Sequence, residues 1–116
     1  MSLKKFRIAV ATTAHGGLED IVCKVFGRAN TFTIIDVEES EVKNVKVLEN
    51  PALSYKHGAG PIVVKMLVDS GVNLVVGTEL GPGASALLEQ HNVNHVIAKP
   101  GVKVKKSLEK VLGRQT

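Results

Sequence analysis

The 116-residue sequence contains one cysteine, Cys23, no tryptophan, and only three phenylalanines and one tyrosine. A single thiol excludes an internal disulfide and every Cys-x-x-Cys metal or redox motif. The shortage of aromatic rings removes the stacking platforms that single-stranded nucleic-acid binders use. Much of the net charge of +4 comes from lysines between Lys99 and Arg114, which is typical of a solvated helix face. We therefore expect no nucleic-acid partner.

The sequence also lacks a long apolar run. Its opening residues, MSLKKFRIAV, are charged and contain neither a long hydrophobic segment nor a small-residue cleavage site, so we expect no signal peptide and no membrane span. These absences predict a cytoplasmic protein without a membrane partner. Because 116 residues with 44% hydrophobic content suit one hydrophobic core, we expect a single domain over residues 1–116.

Catalytic and nucleotide-binding motifs are absent as well. The chain has no G-x-x-x-x-G-K-[ST] loop, no G-x-G-x-x-G followed by an acidic residue, and no G-x-S-x-G elbow. Its carboxylates are scattered, because Asp36 stands alone in its strand while Glu19 and Asp20 lie outside the first strand. Two-metal nuclease chemistry therefore lacks its ligands. We expect a protein without enzymatic activity.

The first half of the chain has strand patterns. Residues 5–13 (KFRIAVATT) alternate large apolar residues with small ones, which predicts a strand with something packed close to its small-residue face. Residues 18–25 carry apolar side chains at i, i+3, i+4 and i+7, which predicts a short helical turn ending at Gly27. The β-branched runs 31–37 and 42–48 are joined by only four residues, so they predict an antiparallel hairpin.

The second half repeats weakly with a spacing of 21 residues. Gly60-Pro61 recurs as Gly81-Pro82, and Val75-Val76 as Val96-Ile97. In each copy the proline suits the first helical position, and a helix of about ten residues leads into a strand. A last amphipathic helix is predicted by apolar residues at i, i+4, i+7 and i+8, namely Val104, Leu108, Val111 and Leu112.

Helical crossovers of this length place the first, fourth and fifth strands parallel, with the hairpin on one side and helices on both faces. The predicted class is α/β. Ligands bind at the carboxyl ends of such strands, where the loops 12–17, 77–83 and 98–101 meet and the loop 54–61 can join them. Glycines and unpaired helix N–H groups there could hold an anion. The alternative is that the glycines serve only turns and helix starts.

Three side chains could bind a metal. His15 and His57 lie in glycine-rich loops, where an imidazole is accessible, although a lone histidine in such a loop is more often a solvated or capping residue than a ligand. Cys23 would point about 140° away from Leu18 in a helix, off the apolar stripe. A thiolate with one or two imidazoles suits a soft metal or a metal–sulfur cluster.

Four segments, VFGRANTFTIID, YKHGAGP, VNLVVGTELGPGASALL and HNVNHVI, together resemble the nitrogenase iron-molybdenum cofactor biosynthesis family. The resemblance runs from Phe6 to about Val102. Its most specific parts are Phe26-Gly27-Arg28-Ala29 and the glycine-rich starts of the two helices. Members occur alone, as NifX-like cofactor carriers, and at the end of the cofactor-assembly radical enzyme.

The resemblance implies a three-layer α/β/α, ribonuclease H-like fold whose five-stranded mixed sheet has the order 3-2-1-4-5. It also implies a carrier that binds an iron–molybdenum or related metal–sulfur cluster and meets cofactor-assembly proteins. The cofactor region carried over to this chain comprises Thr13, His15, Arg28, His57, Gly58, Gly60, Thr78, Glu79, Gly81 and Gly83. The metal ligands would be Cys23, His15 and His57.

The chain departs from the family pattern at one position. Many members have a histidine directly before the Phe-Gly pair, where this chain has Val25, so ligation would depend on Cys23, His15 or His57. With one thiol per chain, either a monomer or a weak homodimer that shares a cluster is expected. The alternative functions are a regulatory or scaffolding module that binds a partner protein and, less favoured because carboxylates are missing, a ribonuclease H-type hydrolase.

Overall fold

The computed structural model describes residues 5–55, 58–78 and 80–112, and the structural statements below refer to these. Two predicted site residues, His57 and Glu79, lie outside the described residues. The elements in chain order are β1 (Lys5–Thr12), a 3-10 helix (Phe26–Arg28), β2 (Thr31–Glu38), β3 (Glu41–Glu49), α1 (Ala59–Asp69), β4 (Leu74–Gly77), α2 (Pro82–Gln90), β5 (Asn94–Ile97) and α3 (Val104–Val111).

The five strands form one mixed sheet with the order β3-β2-β1-β4-β5. The β2–β3 hairpin is antiparallel and continues antiparallel onto β1. β1, β4 and β5 are mutually parallel, as helical crossovers require. The predicted strand order and directions are therefore confirmed, and the carboxyl ends of β1, β4 and β5 meet at one edge.

Helices cover both faces of the sheet. Ile8 and Val10 of β1 pack toward α3 with Leu108, whereas the small residues Ala9 and Ala11 pack toward α1 and α2. The alternation along β1 therefore separates two apolar clusters. The expectation of close packing against the small-residue face is confirmed.

The predicted helical turn over residues 18–25 is wrong. Instead of i→i+4 bonds, the Val22 amide donates to the Val102 carbonyl at 2.8 Å, and Val22 forms a bridge with Thr12 at the end of β1. The Asp20 carboxylate accepts the amides of Ala14 and Gly16 at 2.9 and 2.7 Å. The argument that Cys23 lies off a helical stripe therefore no longer applies, because tertiary hydrogen bonds replace the local ones.

The two glycine-proline helix starts are not equivalent. Pro82 is the first residue of α2 as predicted, but α1 begins at Ala59, so Pro61 is its third residue. Proline is tolerated there because the first four amides of a helix have no intrahelical acceptor. The prediction that Pro61 occupies the first helical position is therefore wrong by two residues, while the helical state of the apolar segment that follows is confirmed.

None of the helices in residues 5–55, 58–78 and 80–112 has the length and continuous apolar character needed to cross a bilayer.

Candidate functional site

A cleft of about 310 Å³ opens between the starts of α1 and α2 and the 3-10 helix. We call it the glycine cleft. It lies on the α1–α2 side of the sheet, because its lining residues Phe26, Ala59 and Ala84 belong to the apolar cluster on that side. Five of the predicted cofactor-binding residues line it: Arg28, Gly58, Gly60, Gly81 and Gly83.

The glycines of this cleft leave its floor as bare backbone. A Cβ added at Gly58, Gly81 or Gly83 would meet no atom within 4 Å, so side chains there would project into open space. Gly58 also has a φ of 76°, a left-handed conformation that favours glycine. A Cβ at Gly60 would lie 3.4 Å from the Ala84 Cβ. The first turns of α1 and α2 are therefore close neighbours.

The two helix starts share a second property. Neither α1 nor α2, within the described residues, has a side-chain N-cap hydrogen bond or an acidic residue in its first turn. Helix N-termini carry unpaired amides and about half a positive charge. Since no N-cap or first-turn side chain among the described residues neutralises these ends, the cleft presents two adjacent positive helix ends to a ligand.

Arg28 adds a permanent positive charge at this cleft. Its Nη1 donates to the Tyr55 carbonyl at 2.6 Å and to the Leu53 carbonyl at 3.4 Å. The guanidinium therefore fixes the chain that leads toward α1 while its charge stays at the cleft wall.

The 3-10 helix that forms one wall of the cleft is anchored to the rest of the protein by a buried ring and by side-chain hydrogen bonds. The Phe26 ring is buried and packs edge to face on Phe32 of β2, with ring centroids 5.5 Å apart. The buried Asn50 amide donates to the carbonyls of Gly27 and Ala29 at 3.1 and 2.8 Å. The sequence analysis did not identify Asn50 as a site residue. An Asn-Pro pair that directly follows a strand was the available signal, but it does not reveal the partners.

Thr78 is close to the site but turns away from the cleft. Its side chain is buried, and its hydroxyl donates to the carbonyls of Cys23 and Lys24. It does not line the glycine cleft. Thr78 therefore ties the end of β4 to the segment that leads into the 3-10 helix.

The loop that follows Thr13 and contains His15 lies on the opposite face of the sheet from the cleft. A Cβ at Gly16 would lie 2.7 Å from the Val47 side chain, and the Gly17 amide donates to the Thr33 hydroxyl at 2.9 Å. Thr33 follows the same strand alternation as Ile35, which packs toward α3. The His15 side chain itself is exposed. The structure therefore does not bring Thr13 and His15 into the glycine cleft.

Cys23 lies where the chain crosses from one face of the sheet to the other. It is half-buried against the α1–α2 cluster, and its Sγ is 3.5 Å from the Val25 carbonyl. Within the part of the chain that the structure describes, no three His, Cys, Asp or Glu side chains are grouped so as to hold a metal ion. Because His57 lies outside that part, the ligand set of Cys23, His15 and His57 stays a prediction.

Asp36, the isolated strand carboxylate, belongs to the other end of the sheet. Its Oδ1 accepts a hydrogen bond from Arg7 Nε at 2.6 Å, and this bond lowers the pKa of the Asp36 carboxyl. The partially exposed pair lies near the amino end of β1, away from the cleft. Asp36 therefore serves an ion pair between β1 and β2.

His95 of β5 is a half-buried titratable group that lines a hollow beside Ser85 and Glu89 of α2. Burial lowers its pKa below the ordinary 6.5, and a hydrogen bond with the Thr78 backbone opposes this in part. Its buried Nε2 has no hydrogen-bond partner among the described residues. A protonated His95 would therefore carry a desolvated N–H without an acceptor.

This environment predicts a pH-dependent stability. Below pH 6.5 the unfolded chain binds a proton at His95 more readily than the folded chain, so the free energy of unfolding should be level above pH 6.5 and decrease as the pH falls toward the lowered pKa. Urea unfolding at pH 7.5, 6.5 and 5.5 measures this slope. The variant His95→Gln should flatten it, and an equal slope in both proteins would contradict the assignment. Asp36 does not interfere, because its pKa lies below its ordinary 3.8.

The chain matches a protein-family model over nearly its whole length. A model of the family described as "Dinitrogenase iron-molybdenum cofactor" matches residues 4–114. An uncharacterized protein of Methanocaldococcus jannaschii is 32% identical over 69 residues, which are 60% of this chain. The matched chain spans only 58% of that relative's length.

Two solved structures share the fold at higher coverage. The apo form of the orange protein from Desulfovibrio gigas is 28% identical, with a TM-score of 0.81 over 91% of this chain and 86% of that chain. A NifB candidate protein from Thermotoga is 31% identical, with a TM-score of 0.75 over 94% of this chain and 90% of that chain.

Proposed function

This chain belongs to the dinitrogenase iron-molybdenum cofactor family, and on that premise we propose that it is a non-catalytic carrier for an anionic metal–sulfur cofactor or its precursor. The carried group is cargo, of the iron–molybdenum type or a related cluster, and it would bind in the glycine cleft. The family supplies the class of ligand. The glycine cleft is the binding site that we propose for this ligand.

One observation carries the proposal: two uncapped helix starts adjoin each other with Arg28 beside them. Backbone amides at a helix start suit an anion because they donate hydrogen bonds and carry the positive end of the dipole. The bare glycine backbone at Gly81 and Gly83 leaves room for sulfide or oxo ligands of a cluster to approach these amides. The residues present therefore fit a compact anion.

Direct metal ligation is proposed for Cys23, with His15 and His57 as further candidates. A thiolate is the protein ligand that soft metals prefer, and Cys23 stands three residues before the cleft-lining Phe26. His15, on the other face, could contribute only through a rearrangement of its loop or from a second chain. The carrier would meet cofactor-assembly proteins, which supply or receive the cargo.

The test is reconstitution. Protein prepared without oxygen is incubated with iron, sulfide and molybdate, desalted, and examined for charge-transfer absorption and for metal by elemental analysis. We expect metal to remain with the wild-type chain. Protein that emerges from the column without metal would overturn the carrier proposal.

The ligand assignment has its own prediction. If retention is observed, Cys23→Ser and His57→Ala should each reduce the metal content per chain, because each removes a soft or borderline donor. Unchanged metal content in both variants would remove these ligands from the proposal. It would leave the glycine cleft, which acts through backbone amides, as the binding element.

A further inference from the structure

The outer edge of β5 carries backbone groups that face away from the sheet and have no partner among the described residues. β5 pairs with β4 on its inner side, where the Asn94 amide donates to Asn73 at 3.0 Å and the Ala98 amide to Gly77 at 2.8 Å. Because amides alternate along a strand, those of His95 and Ile97 point outward. In the described chain, β5 ends the sheet on this side.

An exposed apolar side chain marks this edge. Ile97 is 64% exposed, the largest fraction of any large hydrophobic side chain in the described residues. It pairs across from Gly77, and it shares the α1–α2 face with His95. An exposed strand edge with an exposed isoleucine is a template for pairing with another chain.

The α3 side of the same edge is basic. A groove of about 400 Å³ runs along Ala98 and Val102 and is lined by Lys99, Lys106 and Lys110, with Glu109 as its one acidic residue. The neighbouring lysines of α3 differ, since Lys103 and Lys105 both form ion pairs with Glu19. No such ion pair involves Lys99, Lys106 or Lys110 among the described residues.

We propose that the outer edge of β5 binds an extended acidic segment of a partner protein, which adds to the sheet as a further strand. Strand addition uses main-chain hydrogen bonds for affinity and alternate side chains for specificity. Here one face of the added segment would contact Ile97 with apolar residues, and the other would present carboxylates to the lysine groove. A second copy of this chain fits less well, because pairing two β5 edges would bring two lysine grooves together.

The other edge of the sheet, formed by β3, does not combine an apolar face with a basic face. β3 carries charges of both signs along its length, namely Glu41, Lys43, Lys46 and Glu49. Charged side chains on a strand protect an edge from pairing, and β5 itself carries no Asp, Glu, Lys or Arg. β5, in contrast, adjoins β4, and the chain after β4 leads to the cleft-lining Gly81 and Gly83. The proposal does not depend on what the glycine cleft binds.

The first test uses short fluorescent peptides in which glutamate alternates with valine, and a second set in which lysine replaces glutamate. We expect the glutamate peptide to bind the full chain, with an affinity that falls as salt rises, and the lysine peptide not to bind. In the complex, hydrogen exchange should slow at the outward amides of His95 and Ile97. The inward amides of Asn94 and Ala98, already bonded, should change little.

Variants separate the two contributions. Ile97→Pro removes an outward N–H without touching an inner hydrogen bond, and proline is tolerated on edge strands; it should weaken binding at least tenfold. The double change Lys106→Glu and Lys110→Glu should do the same by reversing the groove's charge. Lys46→Glu on β3 is the matched control and should leave binding unchanged.

Three results would overturn the proposal. The first is no binding of the glutamate peptide at millimolar concentration, and the second is equal binding by the wild type and the charge-reversed double variant. The third is a dimer in sedimentation that Ile97→Pro dissociates, which would assign the edge to a second copy. If Ile97→Pro fails to fold, two measurements still test the proposal: peptide binding by the charge-reversed double variant, and hydrogen exchange of the wild type with and without peptide.

Discussion

Replacing Gly83 with aspartate should reduce retention of a metal–sulfur anion at least tenfold while leaving the fold intact. Gly83 is the second residue of α2, and its added side chain would enter open space in the glycine cleft. The new carboxylate would place a like charge where the proposed anion binds. A unit charge pair 4 Å apart at an effective dielectric constant of 20 interacts by about 4 kcal/mol, so a tenfold loss, about 1.4 kcal/mol, is a conservative expectation.

The thermal stability of Gly83→Asp should not fall with its metal retention. An acidic side chain in the first turn of a helix stabilises it by about 0.3–1 kcal/mol, and removing a helical glycine lowers the entropy lost on folding. Thermal unfolding of the metal-free variant should therefore occur at the same or a higher temperature than that of the wild type. A binding defect could not then be attributed to unfolding.

Two controls at the same position isolate the charge. Gly83→Asn has nearly the shape of aspartate without its charge and should retain most of the metal. Gly83→Lys should retain at least as much, because it adds a cation beside Arg28. Equal metal content in the aspartate, asparagine and lysine variants would place the ligand outside the glycine cleft. The carrier function itself is tested separately, by metal retention in the reconstituted wild-type protein.

Phe26→Ala should be the most destabilising of the changes considered, at about 3–5 kcal/mol. The ring is 2% exposed and fills the space between the 3-10 helix and Phe32 of β2. Domains are stable by only about 5–15 kcal/mol, so this loss is a large part of the total. The cleft wall would lose its support at the same time, and metal retention should fall with stability.

Urea unfolding measures this effect, and two variants calibrate it. Phe26→Leu keeps an apolar side chain and should cost less than Phe26→Ala. Val25→Ala changes the preceding residue, which is 50% exposed, and should alter stability by no more than about 0.5 kcal/mol. A cost for Phe26→Ala close to that for Val25→Ala would show that the 3-10 helix is not anchored through this ring.

The fold was largely predictable because its signals are periodic. The β2–β3 hairpin follows from two β-branched runs and a short connection, and the α1 and α2 units from a repeat whose second copy is a good helix sequence. Periodicity failed over residues 18–25. There Leu18 and Val22 pack against the α3 cluster but Val25, the last residue of the pattern, is 50% exposed, so the spacing does not mark one buried face of a helix.

The candidate site was predictable only in part, for a related reason. The sequence places glycine loops at the carboxyl ends of β1 and β4, but it does not say on which face of the sheet each loop lies. The structure brings Arg28 into the cleft with Gly58, Gly60, Gly81 and Gly83, and it leaves Thr13 and His15 outside the cleft. The edge of β5 was not anticipated, because the direction of an amide depends on which neighbour its strand pairs with.

By itself, the sequence determined the class of fold, the strand order through its family resemblance, and the glycine-rich character of the helix starts. Local spacing and residue type are enough for these, since helices and strands bury one face at a fixed period. Only the tertiary structure decided which loops share a cleft, that the N-cap residues of both helices are glycines without a side-chain cap, and that Thr78 and Asn50 fix the cleft wall. Those facts depend on contacts between residues distant in the chain, for which no local pattern exists.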